Sequence, residues 1–281
     1  MKPVLILAGL TLREALRKRV FLAALLVALL FVLFAFLPLH LHTGPLIGAD
    51  MATARDNTGK IFAWLGCGTI KFFSSILAVT LAAGSLTAEV ERGVLSTIVP
   101  KPIARWQIYV GKWLGLLSLL AISIVLWGLL LAWGIHRQTG TFHPRIFDGI
   151  LAASLFPLLF TTLTLFFSSF ANFALSAGLA LIAAGVALAE DTLLLLSRPF
   201  VLNAPILATI SHVVGCIVPI SRMNHWITRG LGSAGIDMSV FTRGGLDTAA
   251  VATTSGELVY VLLYIAAFFV LGLVTFQRRD L

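Results

Sequence analysis

Between Val20 and Leu39 the chain runs twenty residues without a charge. A helix of about twenty apolar residues covers the ~30 Å hydrocarbon core of a bilayer. Lipid offers no partner for a free amide or carbonyl, so a crossing segment must satisfy its backbone internally, as a helix does. The pattern recurs at about 68–88, 113–135, 149–170, 174–196 and 258–276. The expected fold is therefore all-α: one polytopic membrane domain over residues 1–281 with six transmembrane helices. Only 11% of the residues are charged and 59% are hydrophobic. A soluble domain carries roughly 25% charged residues, so lipid is the solvent this chain is built for.

The segments between the spans differ in character. Residues 1–19 mix Leu5, Leu7, Leu12 and Leu16 with Arg13, Glu14 and the run Arg17-Lys18-Arg19, the composition of an interfacial amphipathic helix. A cleaved signal is the competing reading. The apolar run is too long for a signal core, and Leu37-Pro38-Leu39-His40 offers no small-x-small cleavage site. His40 to Cys67 reads as a mixed polar loop, and Lys71 is placed to snorkel toward headgroups. Ala171-Asn172-Phe173 is a very short turn between spans four and five. Residues 197–256 form the one long loop, expected outside the cytoplasm. Its apolar piece, Asn203 to Ile220, carries Pro205 and Pro219 and is expected as a re-entrant or interfacial hairpin. Gly230, Gly232, Gly235, Gly244 and Gly245 then read as turn-rich.

Basic residues set the orientation. With six spans, eleven Lys and Arg fall on one side: Lys2, Arg13, Arg17, Lys18, Arg19, Arg92, Lys101, Arg105, Lys112, Arg278 and Arg279. The short loops opposite hold four, Arg55, Lys60, Arg137 and Arg145. The positive-inside rule puts both termini and residues 89–112 in the cytoplasm. The net charge of +8 thus reports topology and anionic headgroups, not nucleic acid.

The sequence holds no phosphate-cradling G-x-x-x-x-G-K-[ST] loop, since Gly111-Lys112 runs into Trp113. No His-Glu-x-x-His or Ser-nucleophile motif appears either. Cys67 and Cys216 have no metal-ligand spacing and read as free thiols or as one outer-face pair. His40 and His42 lack a nearby third ligand and read as loop histidines rather than a metal site. Gly111-x-x-x-Gly115 and Ala174-x-x-x-Gly178 allow close helix approach, at a dimer seam or within one subunit. Trp113, Trp127, Trp133, Tyr260 and Tyr264 read as interface anchors and packing. Glu190 and Asp191, near the outer end of span five, either line a substrate path with Arg198 or mark the membrane boundary.

The informative segment is the polar stretch 89–112, EVERGVLSTIVPKPIARWQIYVGK. Pro100 and Pro102 divide it, with one helix expected to stop near Val99 and Pro102 suited to open the next. Glu89 and Glu91 favour a helix N-terminus, and Val94, Leu95, Ile98 and Val99 offer an apolar face to a groove on a soluble partner.

The order Glu89-x-Glu91-x-Gly93, Pro100, Arg105, Gly111-Lys112 resembles the signature of type-2 ABC transporter permeases. Val94 stands where that family usually has Thr, which puts the capping of the turn at Gly93 in question. The N-terminal helix, six spans and Arg-Arg-Asp-Leu end match in layout, closest to the branch associated with multi-copper enzyme maturation. The resemblance implies the permease subunit of an exporter, paired with itself or a paralogue in the cytoplasmic membrane. It implies no catalytic residue, metal or cofactor in this chain. ATP and Mg would sit in a separate ATPase subunit, which would contact Glu89, Glu91, Arg92 and Gly93, supported by Pro100, Arg105, Gly111 and Lys112. A membrane-embedded enzyme of lipid metabolism is the alternative, but it needs a polar cluster that only Glu190 and Asp191 begin to supply. A scaffold or channel is the third reading and would not need the Glu-x-Glu-x-Gly and Gly-Lys pattern.

Overall fold

A computed structural model describes residues 2–17, 26, 51–91, 104–140, 146–196, 205–233 and 255–278. The described chain is helical: α1 (Lys2–Arg17), α2 (Met51–Glu91), α3 (Arg105–Thr139), α4 (Ile146–Ala153), α5 (Leu155–Ser168), α6 (Phe173–Leu196), α7 (Pro205–Ile217), α8 (Ile220–Ser233) and α9 (Ser255–Arg278). Among the described residues, four stretches are long and apolar enough to cross a membrane: Phe62–Leu86, Arg105–Arg137, Ile146–Ser168 and Ser255–Arg278. The first span expected from the sequence, 20–39, lies outside the described residues apart from Leu26. The fifth, 174–196, falls on α6, which is helical but not among these four stretches.

α2 is the spine of the bundle. Ala63, Cys67, Ile70, Ser74, Leu77 and Leu81 recur every three or four residues and are all buried, the spacing that makes one helical stripe. The small members of that stripe let α3, α5 and α6 pack closely around it. The helix has 41 residues, about 60 Å at 1.5 Å per residue, so it extends beyond the bilayer. It begins at Met51, which corrects the polar loop expected to reach Cys67. Arg55, Asp56 and Lys60 are charges on a helix that continues past its membrane span. Cys67 is a free, buried thiol, which removes the outer-face pairing with Cys216.

The remaining elements follow local chemistry. Ala104 is extended (ψ 140°), so α3 starts at Arg105, three residues past Pro102, and Pro102 is not its first residue. α3 ends where Gly140 adopts φ 73° and donates its N–H to the His136 carbonyl, a left-handed cap that glycine accepts without strain. α4 and α5 make one span with a break at Ser154, where Pro157 withholds the amide that would continue the ladder. The short turn before α6 is held by Asn172, whose Oδ1 accepts the Leu175 N–H at 2.9 Å.

Residues 205–217 are one helix, α7, rather than both arms of a hairpin. The chain breaks at Val218-Pro219 and a second helix follows. That helix, α8, buries Ile220, Met223, Ile227 and Leu231 and packs on α4. Gly230 is therefore helical, not a turn signal: a Cβ there would lie 2.6 Å from the Gly149 nitrogen.

Candidate coupling site

The two ends of the 89–112 segment come together. Glu89 and Glu91 lie at the C-terminal end of α2, the helix already carried through the bundle, which corrects the helix N-terminus expected for them. Leu86 ends the membrane-compatible stretch, so Glu91 projects about 7 Å further along the axis. Arg92, Gly93 and Pro100 lie outside the described residues. The segment returns at Ala104 and enters α3 through Arg105.

Lys112 is 4% exposed and donates its Nζ to the Ser85 carbonyl. A buried ammonium needs such an acceptor, because desolvation without one is costly. Residues 85 and 112 therefore clasp the base of the polar segment. The preceding turn of α2 is tied as well. The Ala83 carbonyl accepts from Ser168 Oγ of α5 at 3.1 Å and, more weakly, from Ser176 Oγ of α6 at 3.5 Å. Three neighbouring helices thus bond to the stretch of α2 just before its acidic end. No local motif announced Ser85, Ser168 or Ser176. The available signal was a hydroxyl in each of two apolar spans, with no water there to satisfy it.

Gly111 and Gly115 settle which surface the small-residue motif serves. A Cβ on Gly111 would lie 2.7 Å from Leu7 Cβ, and one on Gly115 would lie 2.7 Å from the Ala8 carbonyl oxygen. Both glycines admit α1, so the seam lies within the subunit. Contacts advance together along the two helices, so α1 follows α3 instead of crossing it. Leu5, Ile6 and Leu10 remain exposed on its far side.

Arg105 and Tyr109 join the start of α3 to the end of α9. Arg105 Nη1 donates to the Gln277 carbonyl at 3.2 Å, a cation on the negative end of a helix dipole. The Tyr109 ring packs 5.6 Å from Phe269 and 6.1 Å from Phe276, and the Trp113 ring lies 4.7 Å from Phe269, tilted by 56°. Trp113 Nε1 also donates to Thr162 Oγ1 at 2.9 Å. Among the expected anchors, Trp127 is buried while Trp133 is exposed, and Tyr264 donates to the Ile217 carbonyl at 2.7 Å.

Glu190 and Asp191 lie in the last two turns of α6, about as far from the clasp as that helix reaches. Lys71 does not snorkel outward. It donates to Asn224 Oδ1 at 3.0 Å and sits 5.1 Å over the Phe156 ring, fastening α2 to α8 and to the fourth span. Among the described residues, no group of three or more His, Cys, Asp or Glu could hold a metal ion.

A bundle with several helices long and apolar enough to cross a bilayer defines a multi-pass integral membrane protein. Residues 5–281 match the model of the ABC-2 family transporter proteins, and the chain belongs to that family. No curated protein matches it.

Proposed function

We propose that this chain is the permease subunit of an ABC exporter in the cytoplasmic membrane, with both termini in the cytoplasm. Two copies, or one copy and a paralogue, form the pathway. A separate ATPase subunit holds ATP and Mg, hydrolyses the ATP, and docks on the acidic end of α2 and the segment after it. The observation that carries the reading is the continuity of α2 with Glu89 and Glu91, together with the bonds at Ala83 and Ser85. A displacement of the acids moves a helix to which α3, α5 and α6 are fastened. Gly111 and Lys112 are buried, so their part is to transmit from within, while Arg105 braces the seam to α9. Arg92, Gly93 and Pro100 complete the docking segment by resemblance. Glu190 and Asp191, at the far end of α6, are proposed as the outer gate. Placement in the multi-copper maturation branch rests on layout, and no substrate is drawn from it.

The double reversal Glu89→Lys with Glu91→Lys tests the docking surface. Insertion and yield should hold, because both residues lie past the membrane-compatible part of α2. Co-purification of the ATPase, or transport coupled to its turnover, should fall about tenfold or more. Normal assembly and transport in the reversed protein would place the docking surface elsewhere. The purified chain alone should hydrolyse no ATP.

A further inference from the structure

The two ends of α9 are held by different means. Its last turn is braced to α3 through Arg105 and the Gln277 carbonyl. At the other end, away from the clasp, the first residue of α9 to be buried is Val261, so packing does little for the residues before it. Two polar contacts tie that end to α8. They come from one stripe, since Arg222, His225 and Arg229 follow the i, i+3, i+7 spacing of a single helical face. The Arg222 guanidinium lies 4.1 Å over the Tyr260 ring, and His225 Nδ1 stands 3.8 Å from Glu257 Oε1.

The second contact is incomplete. A separation of 3.8 Å is too long for a hydrogen bond. His225 Nδ1 and Glu257 Oε2 are nevertheless buried, and neither has a hydrogen-bond partner. Buried polar atoms left that way are costly. The two side chains are 34% and 24% exposed, so water screens the pair only in part. A neutral imidazole has one N–H, and when that lies on Nε2 the Nδ1 meets a carboxylate as a second acceptor. An imidazolium donates from both nitrogens and adds opposite charge. One proton on the ring therefore guarantees a donor toward Glu257 and makes the bond charge-assisted. Glu257 stands in the first turn of α9, where the helix dipole favours a negative group.

The charged groups around the pair are engaged elsewhere or lie on other helices. Arg222 and Arg229 face the Tyr260 and Trp226 rings, and arginine keeps its charge throughout the physiological range. Lys71 of α2 is bonded to Asn224, and Asp148 of α4 has its own partner. α6 carries Glu190 and Asp191, α7 carries His212, and α5 carries no charge. Of these side chains, the imidazoles of His225 and His212 are the kind that change charge between about pH 5 and 8.

We propose that His225 and Glu257 form a proton-operated fastening between α8 and α9. Below the imidazole range the pair closes and holds this end of α9 on α8. As pH rises through that range the charge-assisted bond is lost, and α9 keeps only the Arg222–Tyr260 contact and the bond from Tyr264 to the Ile217 carbonyl. On the orientation proposed above, this end faces outside, so the fastening responds to the pH beyond the membrane. The side it faces rests on that orientation; the fastening itself does not, and it needs no ATPase.

Double electron–electron resonance on the full purified chain in lipid nanodiscs tests the pair. Spin labels go on Leu65 of α2 and Val259 of α9, both exposed, with Cys67 and Cys216 replaced. Between about pH 5.5 and about pH 8.5, the ratio of longer to shorter distances should rise about fivefold. His225→Gln and Glu257→Gln should each remove that dependence and show the high-pH distribution throughout. His212→Gln and His136→Gln should leave the dependence in place. A distribution indifferent to pH with the pair intact would overturn the proposal. So would a response that survives in His225→Gln, or one that His212→Gln abolishes. Should His225→Gln fail to fold, Glu257→Gln decides in its place, because it removes the other half of the same bond.

Discussion

The Lys112 ammonium donates to the Ser85 carbonyl, joining two residues that bracket the whole polar segment. Lys112→Met keeps the length and apolar stem of the side chain and removes the charge-assisted bond. Such bonds contribute about 1.5–3 kcal/mol. The thermal midpoint in detergent should fall accordingly, while insertion is unchanged. An unaltered midpoint would mean that the clasp adds nothing to the packing around it.

Gly115→Val should separate α1 from α3. Its Cβ would meet the Ala8 carbonyl oxygen and Thr11 Cβ, both at 2.7 Å, and backbone cannot move aside as a side chain can. Spin labels on the two helices should report a longer and broader distance. Gly178→Ala is the matched control, with nothing within 4 Å. It should be neutral or gain up to about 1 kcal/mol from helix propensity.

Gly272→Ala should destabilise the contact between α3 and α9, because its methyl would fall on Tyr109 Oη and lie 2.9 Å from Cζ. That hydroxyl is buried and has no hydrogen-bond partner. Tyr109→Phe alone should therefore be neutral or stabilising, and in the double variant it should recover part of the loss. Recovery stays partial because Phe166 Cα is 3.2 Å from the same point. Strictly additive effects in a double-mutant cycle would show that the two residues do not collide.

Topology is open to direct labelling. In a background with Cys67 and Cys216 replaced, cysteines at Arg137 and Ser233 should react with an impermeant thiol reagent from outside. A cysteine at Arg278 should react only in inside-out vesicles. Arg137 and Arg278 end α3 and α9 at opposite ends of the bundle, so the same accessibility at both would contradict the orientation drawn from the basic residues.

What could be read from the sequence follows the range of the forces involved. The spans within α3, α4–α5 and α9 were legible because crossing a bilayer demands long apolar runs. The turn at Asn172 was legible because so few residues separate two such runs. The start of α2 was not, because Arg55, Asp56 and Lys60 carry the polarity of a loop while lying on a helix that outruns its span. Gly230 was misread because a glycine that permits a turn and one that admits a neighbouring backbone look alike locally. Lys71 was misread for a similar reason, since its acceptor lies 153 positions away. The contacts of Gly111 and Lys112 could not be read in advance, because Leu7, Ala8 and Ser85 become their neighbours only on folding.

The unbroken course of α2 from Met51 to Glu91 fixes the compass bearing of the acids as well as their height. Each residue of an α-helix turns the next by about 100°. One residue inserted after Leu86 would leave the buried stripe in place and swing Glu89 and Glu91 by about a third of a circle. Four inserted residues would bring them nearly back to their original bearing, about 6 Å further out. The bearing of the acidic end of α2 is thus decided by the side chains that choose which way the helix faces inside the bundle.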